Sequence, residues 1–233
     1  MRIPPDVPKE LVEKLKKEQI DLSKKLNLKD KKPLSDIRYV AGIDVTFTNI
    51  WENPTTGIAC ITVLDTKDNF KEVETVFATK KVDFPYIPTF LAYRELPVIL
   101  EAYKKLSSKP DAFIVDGMGI LHPRKMGIAS HFGVITDTIC IGCGKSKLVG
   151  DFQEPPNNPR AYRPVYVNGE IRGYVVRSKK NTNPIFVSPG NNISLQSSVQ
   201  LALRNLNGYK LPEPTRLAHN KLQAYRKEIL KNS

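Results

Sequence analysis

Three carboxylates stand where a folding chain has reason to avoid them. Asp116 closes the apolar run Phe113, Ile114 and Val115, and is followed by Gly117, Gly119, His122 and Pro123. Such a run reads as a short buried strand, and in open α/β sheets functional groups collect just beyond the carboxyl ends of strands. Asp44 lies within Tyr39 to Phe47, where the neighbouring residues suit a strand inside a sheet. Glu95 interrupts a stripe of Leu91, Val98, Ile99, Ala102 and Leu106 at helical spacing. An unpaired charge in such places costs free energy unless it meets a partner or a cation. Taken singly, each acid has an ordinary explanation: a turn or cap aspartate, an edge-strand aspartate facing water, or a glutamate at a helix kink. Brought together, carboxylates repel unless a cation neutralises them. Hard oxygen ligands with open positions suit Mg²⁺, with Mn²⁺ as a substitute. An ion so held polarises a phosphate and lowers the pKa of a bound water, which is the chemistry of phosphodiester hydrolysis.

Whether these acids meet depends on the elements that carry them. Strand-like segments run from Arg38 to Phe47, Gly57 to Leu64 and Glu72 to Val82, with turn residues between them. Their short connections imply an antiparallel meander. A helix is expected from Pro88 to about Leu106, kinked or interrupted by Pro97. A strand over Ala112 to Val115, a helix over about Lys125 to Thr136 and a strand over Ile139 to Ile141 follow. Three antiparallel strands before an alternating α-β-α-β run give an α/β class, the ribonuclease H-like mixed sheet flanked by helices. In that layout the first strand, the first helix of the run and the end of the fourth strand converge on one sheet edge, with Asp44, Glu95 and Asp116 on them.

The remaining segments read as additions to one domain over 1–233. Leu11, Leu15, Leu22 and Leu26 mark a helix from Lys9 to Leu28, within an N-terminal arm over 1–33. Residues 151–183 form a Pro- and Asn-rich loop and then a hairpin turning at Asn168 and Gly169. This insertion carries Arg160, Arg163, Arg172, Arg177, Lys179 and Lys180, a candidate DNA-backbone surface on charge grounds. A strand from Pro184 to Ser188 and C-terminal helices from about Ser194 complete the chain.

Composition narrows the partner. Lys and Arg number 36 against 24 for Asp and Glu, giving +12 and a pI near 9.5 in 233 residues. That balance favours a nucleic-acid partner. No apolar run is long enough for a membrane span, and the Lys- and Glu-rich N-terminus lacks a secretory core. Three cysteines make no disulfide framework, so a reduced, cytoplasmic setting is expected, with a monomer as the default. Cys140 and Cys143 form a CxxC, yet no second ligand pair has zinc spacing. Cys140 reads as core packing and Cys143 as a loop thiol.

Ordered along residues 38 to 220 are pieces that together resemble the endonuclease V family, repair nucleases acting on deaminated adenine. They are Ala41 to Asp44, Pro85 to Pro88, Phe90 to Glu95, Val115 to Gly119, His122 to Arg124, Gly127 to Gly133, Gly144 to Gly150, Val187 to Gly190 and Pro212 to His219. The resemblance implies that Asp44, Glu95 and Asp116 are the metal-site acids, that His219 lies near the metal site, and that Lys145 lies near the scissile phosphate. It implies that Pro85, Tyr86, Ile87 and Pro88 form a wedge entering the duplex. It also implies that Leu91, Gly117, Gly127 and Leu148 line a lesion pocket. The activity so implied is Mg²⁺-dependent cleavage of deoxyinosine DNA at the second phosphodiester bond on the 3′ side, leaving 3′-hydroxyl and 5′-phosphate ends. Inosine-containing RNA is a further partner to weigh. Thr89, Met118, Gly144 and Asn191 depart from common family residues without touching the acids. A nuclease of the same fold acting on RNA or branched DNA, and a binding protein without catalysis, are the competing readings.

Overall fold

Tyr39–Phe47 (β1), Thr55–Asp65 (β2) and Lys71–Val82 (β3) form the expected antiparallel meander. Ala112–Val115 (β4) returns parallel to β1, and Cys140–Gly144 (β5) lies parallel to β4. Ala161–Val167 (β6) and Glu170–Arg177 (β7) make the predicted hairpin, and Ile185–Asn191 (β8) joins it to β5. The result is one eight-stranded mixed sheet of order β3-β2-β1-β4-β5-β8-β7-β6, the ribonuclease H-like arrangement extended at one side by the hairpin. The structure is a computed structural model describing residues 7–231, so the first six residues of the N-terminal arm and the last two of the chain lie outside the described residues.

Helices cover both faces. Alternation along β1 sends Ala41 and Ile43 to one side, where Leu91–Lys104 (α2) and Ile128–Thr136 (α3) supply Val98, Ile99, Ala129 and Phe132. Val40 points to the other side, against Leu195–Arg204 (α4). Glu213–Lys231 (α5) packs Ala218 and Leu222 on Ile58 and Cys60 of β2. Most of these core side chains are fully buried, each large one contributing about 1.5–3 kcal/mol. Lys9–Ser23 (α1) sets Val12 and Leu15 against Ile87 and Phe90. Among the described residues no helix is long and apolar enough to cross a membrane.

Several details differ from expectation. α1 stops at Ser23 rather than Leu28, and Asn27 beyond it is held by Asn191 and Asn192 at the end of β8. α2 begins at Leu91 because Thr89 takes a left-handed φ of 68°, which no helix can include. Pro97 sits inside α2 without ending it. β5 runs on to Gly144, so Cys143 is a buried strand residue and not a loop thiol. Burial pushes both Cys140 and Cys143 thiols up.

Candidate active site

Gly42 decides where α5 meets the sheet. Residues two apart on a strand share a face, so Gly42 and Asp44 point to the same side of β1. A Cβ at Gly42 would collide with the backbone of Pro214 and Thr215. Its absence lets the first turn of α5 lie directly on the strand. One turn further, His219 reaches Asp44, its Nδ1 2.7 Å from Asp44 Oδ2. The steps match: two strand residues advance about 6.7 Å and four helical residues about 6 Å.

β4 delivers the second acid. The Asp116 amide donates to the Ile43 carbonyl at 2.9 Å, which places Asp116 next to Asp44 across the parallel pair. Gly117 then turns the chain with φ 152°, and a Cβ there would strike Ile128. Among the described residues, Asp44, Asp116 and His219 form the one group whose ligand atoms all lie within 4.8 Å of one another. Glu95, expected to share the cluster, stands outside that group, in the wall of a cavity it shares with Asp116.

Electrostatics show how poorly these acids are compensated. Burial raises the Asp44 pKa, and the Asp116 charge raises it further, with Lys145 and His219 opposing. Glu95 is pushed up to about 8, first by burial and then by the charges of Asp116 and Asp44. The Lys145 ammonium pairs with Asp116 Oδ2. Burial disfavours that ammonium, yet the Asp116 partnership outweighs it and raises its pKa. Two carboxylates and an imidazole crowded in this way fit a divalent cation with oxygen preference, such as Mg²⁺ or Mn²⁺.

The cavity has a volume of about 380 Å³. Leu91, Gly117, Gly127 and Leu148, all expected to line a pocket, do line it, as do Tyr86 and Pro88. Ile87 behaves differently from the expected wedge residue. It is fully buried against Phe90 and α1, so it anchors the Pro85–Pro88 tip from below and is not free to touch DNA. Pro85 is half-buried and does not line the cavity.

One supporting network was not anticipated. The Thr89 carbonyl accepts from Gln19 Nε2 at 3.1 Å and Arg124 Nη2 at 3.2 Å, and His122 Nε2 lies 2.9 Å from it. Arg124 also donates to Thr89 Oγ1 at 2.7 Å and Gln19 Oε1 at 2.5 Å, and lies over the Phe90 ring. These contacts hold Thr89 in its left-handed conformation, immediately after the Pro85–Pro88 tip. The clue in the sequence was Gln19, a polar residue in step with Val12 and Leu15 on the buried face of α1.

The basic insertion is less uniform than its composition. Arg172 is buried and donates to the His122 carbonyl at 3.1 Å. Arg177 pairs with Glu154 and the Thr182 carbonyl. Arg160, Arg163, Lys179 and Lys180 are exposed.

Comparison with known proteins agrees with this geometry. The Endonuclease V family model matches residues 20–220. An Endonuclease V from Dictyoglomus turgidum is 46% identical over 201 residues, covering 86% of this chain and 85% of the relative. The crystal structure of the Bacillus subtilis Endonuclease V superposes with a TM-score of 0.88 at 35% identity, covering 98% of this chain and 96% of that one. The Ciona intestinalis Endonuclease V, solved with a 23mer DNA containing an inosine followed by a ribo-adenosine, gives 0.82 at 25% identity over 96% and 100% of the two chains. With its acids on adjacent strands of a ribonuclease H-like sheet, the chain belongs to the Endonuclease V family of nucleases.

Proposed function

We propose that this protein is a Mg²⁺-dependent repair endonuclease that extracts a deoxyinosine base and hydrolyses the second phosphodiester bond on its 3′ side, leaving 3′-hydroxyl and 5′-phosphate ends. The observation that carries this reading is the meeting of Asp44, Asp116 and His219 within 4.8 Å, with Asp116 also in the wall of the cavity that Tyr86 and Gly117 line. Asp44, Asp116 and His219 would hold the ion, which when bound polarises the phosphate and lowers the pKa of a water. Glu95, its carboxyl raised toward neutrality, is suited to exchange a proton with that water. Lys145, released from Asp116, places an ammonium against phosphate oxygens.

Extracting a base costs a few kcal/mol, roughly, and least at a damaged pair. Stacking on an aromatic ring such as Tyr86 returns about 1–3 kcal/mol. Gly117 and Gly127 line the cavity that would receive the extracted base. Inosine-containing RNA is kept as a second substrate because the Ciona protein was solved in complex with DNA whose inosine is followed by a ribo-adenosine.

The test is nicking of deoxyinosine duplex, undamaged duplex, branched DNA and inosine RNA in Mg²⁺, with wild type and Asp116→Ala. Wild type should nick the deoxyinosine strand and the variant should not. Equal nicking of undamaged or branched DNA favours a structure-specific nuclease, and binding without nicking on every substrate favours a protein that has lost catalysis.

A further inference from the structure

The β1–β2 connection, residues 48–54, lies beside the cavity and plays no part in the chemistry above. It carries Trp51, the sole tryptophan of the chain, and this residue is 80% exposed. A ring of this size loses free energy in water, and Trp is rarely left so bare. Ile50 beside it is also exposed.

The connection is held firmly, so the exposure is not that of a loose loop. Arg94 of α2, 1% exposed, donates to the carbonyls of Ile50 and Glu52 at 2.9 and 3.0 Å, with its guanidinium over the Phe47 ring. Arg226 of α5 donates to the carbonyls of Phe47 and Thr48 at 2.8 and 2.9 Å. Thr55 and Asn49 close the turn from within. Burying an arginine to fix two carbonyls is a costly way to shape a turn whose outward product is one bare indole.

That indole stands next to Tyr86. The ring centroids are 5.9 Å apart and the planes are inclined at 55°. The two rings do not stack on each other: Tyr86 lines the cavity, and Trp51 stands against its outer side as a second, inclined aromatic face. Exposed Lys81 lies on the adjoining strand, paired in register with Thr56 at the foot of the connection, while its neighbour Lys80 pairs with Glu101. A lysine near two inclined aromatic faces matches a polyanion carrying flat bases.

We infer that Trp51 is a nucleic-acid-binding residue that stacks on an unpaired base beside the one Tyr86 accompanies, so that two rings rather than one hold the opened strands. The inference rests on the functional reading above. The occupant is a nucleobase rather than a peptide or a second copy, because Trp51 abuts Tyr86, and Tyr86 lines the cavity that also holds Glu95 and Asp116. Trp51 adds affinity for the opened substrate and takes no part in the hydrolytic step.

The sole tryptophan makes the test direct. Wild type is titrated with fluorescein-labelled deoxyinosine duplex and single-stranded DNA in EDTA and again in Ca²⁺. Anisotropy reports saturation, and acrylamide quenching reports access to the indole. Trp51 should be quenched by DNA and become several-fold less accessible to acrylamide at saturation. In Mg²⁺, Trp51→Ala should raise KM for deoxyinosine duplex about tenfold, within the range expected for one stacked base, with kcat nearly unchanged and Trp51→Phe in between. An indole as accessible in the saturated complex as in free protein overturns the inference, as does an unaltered KM in Trp51→Ala. Protection that appears with protein concentration alone, together with dimer mass in sedimentation, assigns Trp51 to a second copy and also overturns it. If wild type nicks deoxyinosine DNA while Trp51 stays accessible, only this inference fails. If wild type neither binds nor nicks, the functional reading fails with it.

Discussion

β1 has acids at both ends, and the two sets live under opposite conditions. Near its start, Asp111 accepts from the backbone amides of Arg38 and Tyr39, both at 2.9 Å, and from Lys32 Nζ at 2.5 Å. Burial works against ionisation of Asp111, but these donors outweigh it and lower its pKa. Asp65, opposite Tyr39 in register, is likewise lowered, chiefly by its bonds to Arg38. At the other end Asp44 and Glu95 are raised, because burial and like charges dominate there. One strand therefore separates carboxylates that stabilise the fold from carboxylates that work against it. Acids that remain under-compensated in a well-paired scaffold mark the site of chemistry.

The sharpest way to break this contrast is to cut each end. Asp116→Ala or Asp44→Asn should lower single-turnover nicking by roughly a thousandfold or more, as expected when a metal ligand is removed. Asp111→Ala should leave that rate within about threefold, a difference of under 1 kcal/mol. Comparable losses at both ends would erase the distinction.

Acid should strain the scaffold through buried histidines rather than through the site. Burial holds His122 and His131 at about 4, below the usual 6.5. The unfolded chain protonates first as pH falls, so their stability is intact above 6.5, is lost between 6.5 and about 4, and changes no further below that. The loss should approach about 3 kcal/mol for each. Urea melts across that range for wild type and His131→Phe would check it, and an equal slope in the variant would exclude His131.

Metal should act on one end only. Saturating Mn²⁺, at about a hundred times its Kd, should stabilise wild type by about 2.7 kcal/mol, read as a rise in Tm, and should leave Asp116→Ala unmoved. The smallest effects should have opposite signs. Asp111→Ala should cost about 1–3 kcal/mol by stranding two backbone donors. Asp44→Asn should stabilise the metal-free protein by about 1 kcal/mol at neutral pH by removing a buried charge beside Asp116. Denaturant titration in EDTA would show both.

Much of this layout is legible in the amino-acid sequence. Turn residues and apolar runs were enough for the meander and for β4, because those signals are local. Asp44 and Asp116 stood out because each sits in a context that burial makes expensive. What local signals could not give were pairings set by distant packing. His219 was expected near the metal site only through the family resemblance; its meeting with Asp44 across 175 residues is explained by the bare face of Gly42 under Pro214. Glu95 stands on the expected helix, in the cavity wall beside Asp116 and outside the 4.8 Å group. Ile87 looks like a tip residue in the sequence, and turns inward only because α1 packs beneath it. Arg172 and Arg177 counted as surface charge until the His122 and Thr182 carbonyls claimed them.

The most direct measurement is Mn²⁺ binding by electron paramagnetic resonance in wild type, Asp116→Ala and Asp111→Ala. Wild type and Asp111→Ala should bind Mn²⁺ with matching affinity, and Asp116→Ala should lose that binding by at least tenfold. Undiminished binding in Asp116→Ala would contradict a metal centre at the meeting of Asp44, Asp116 and His219.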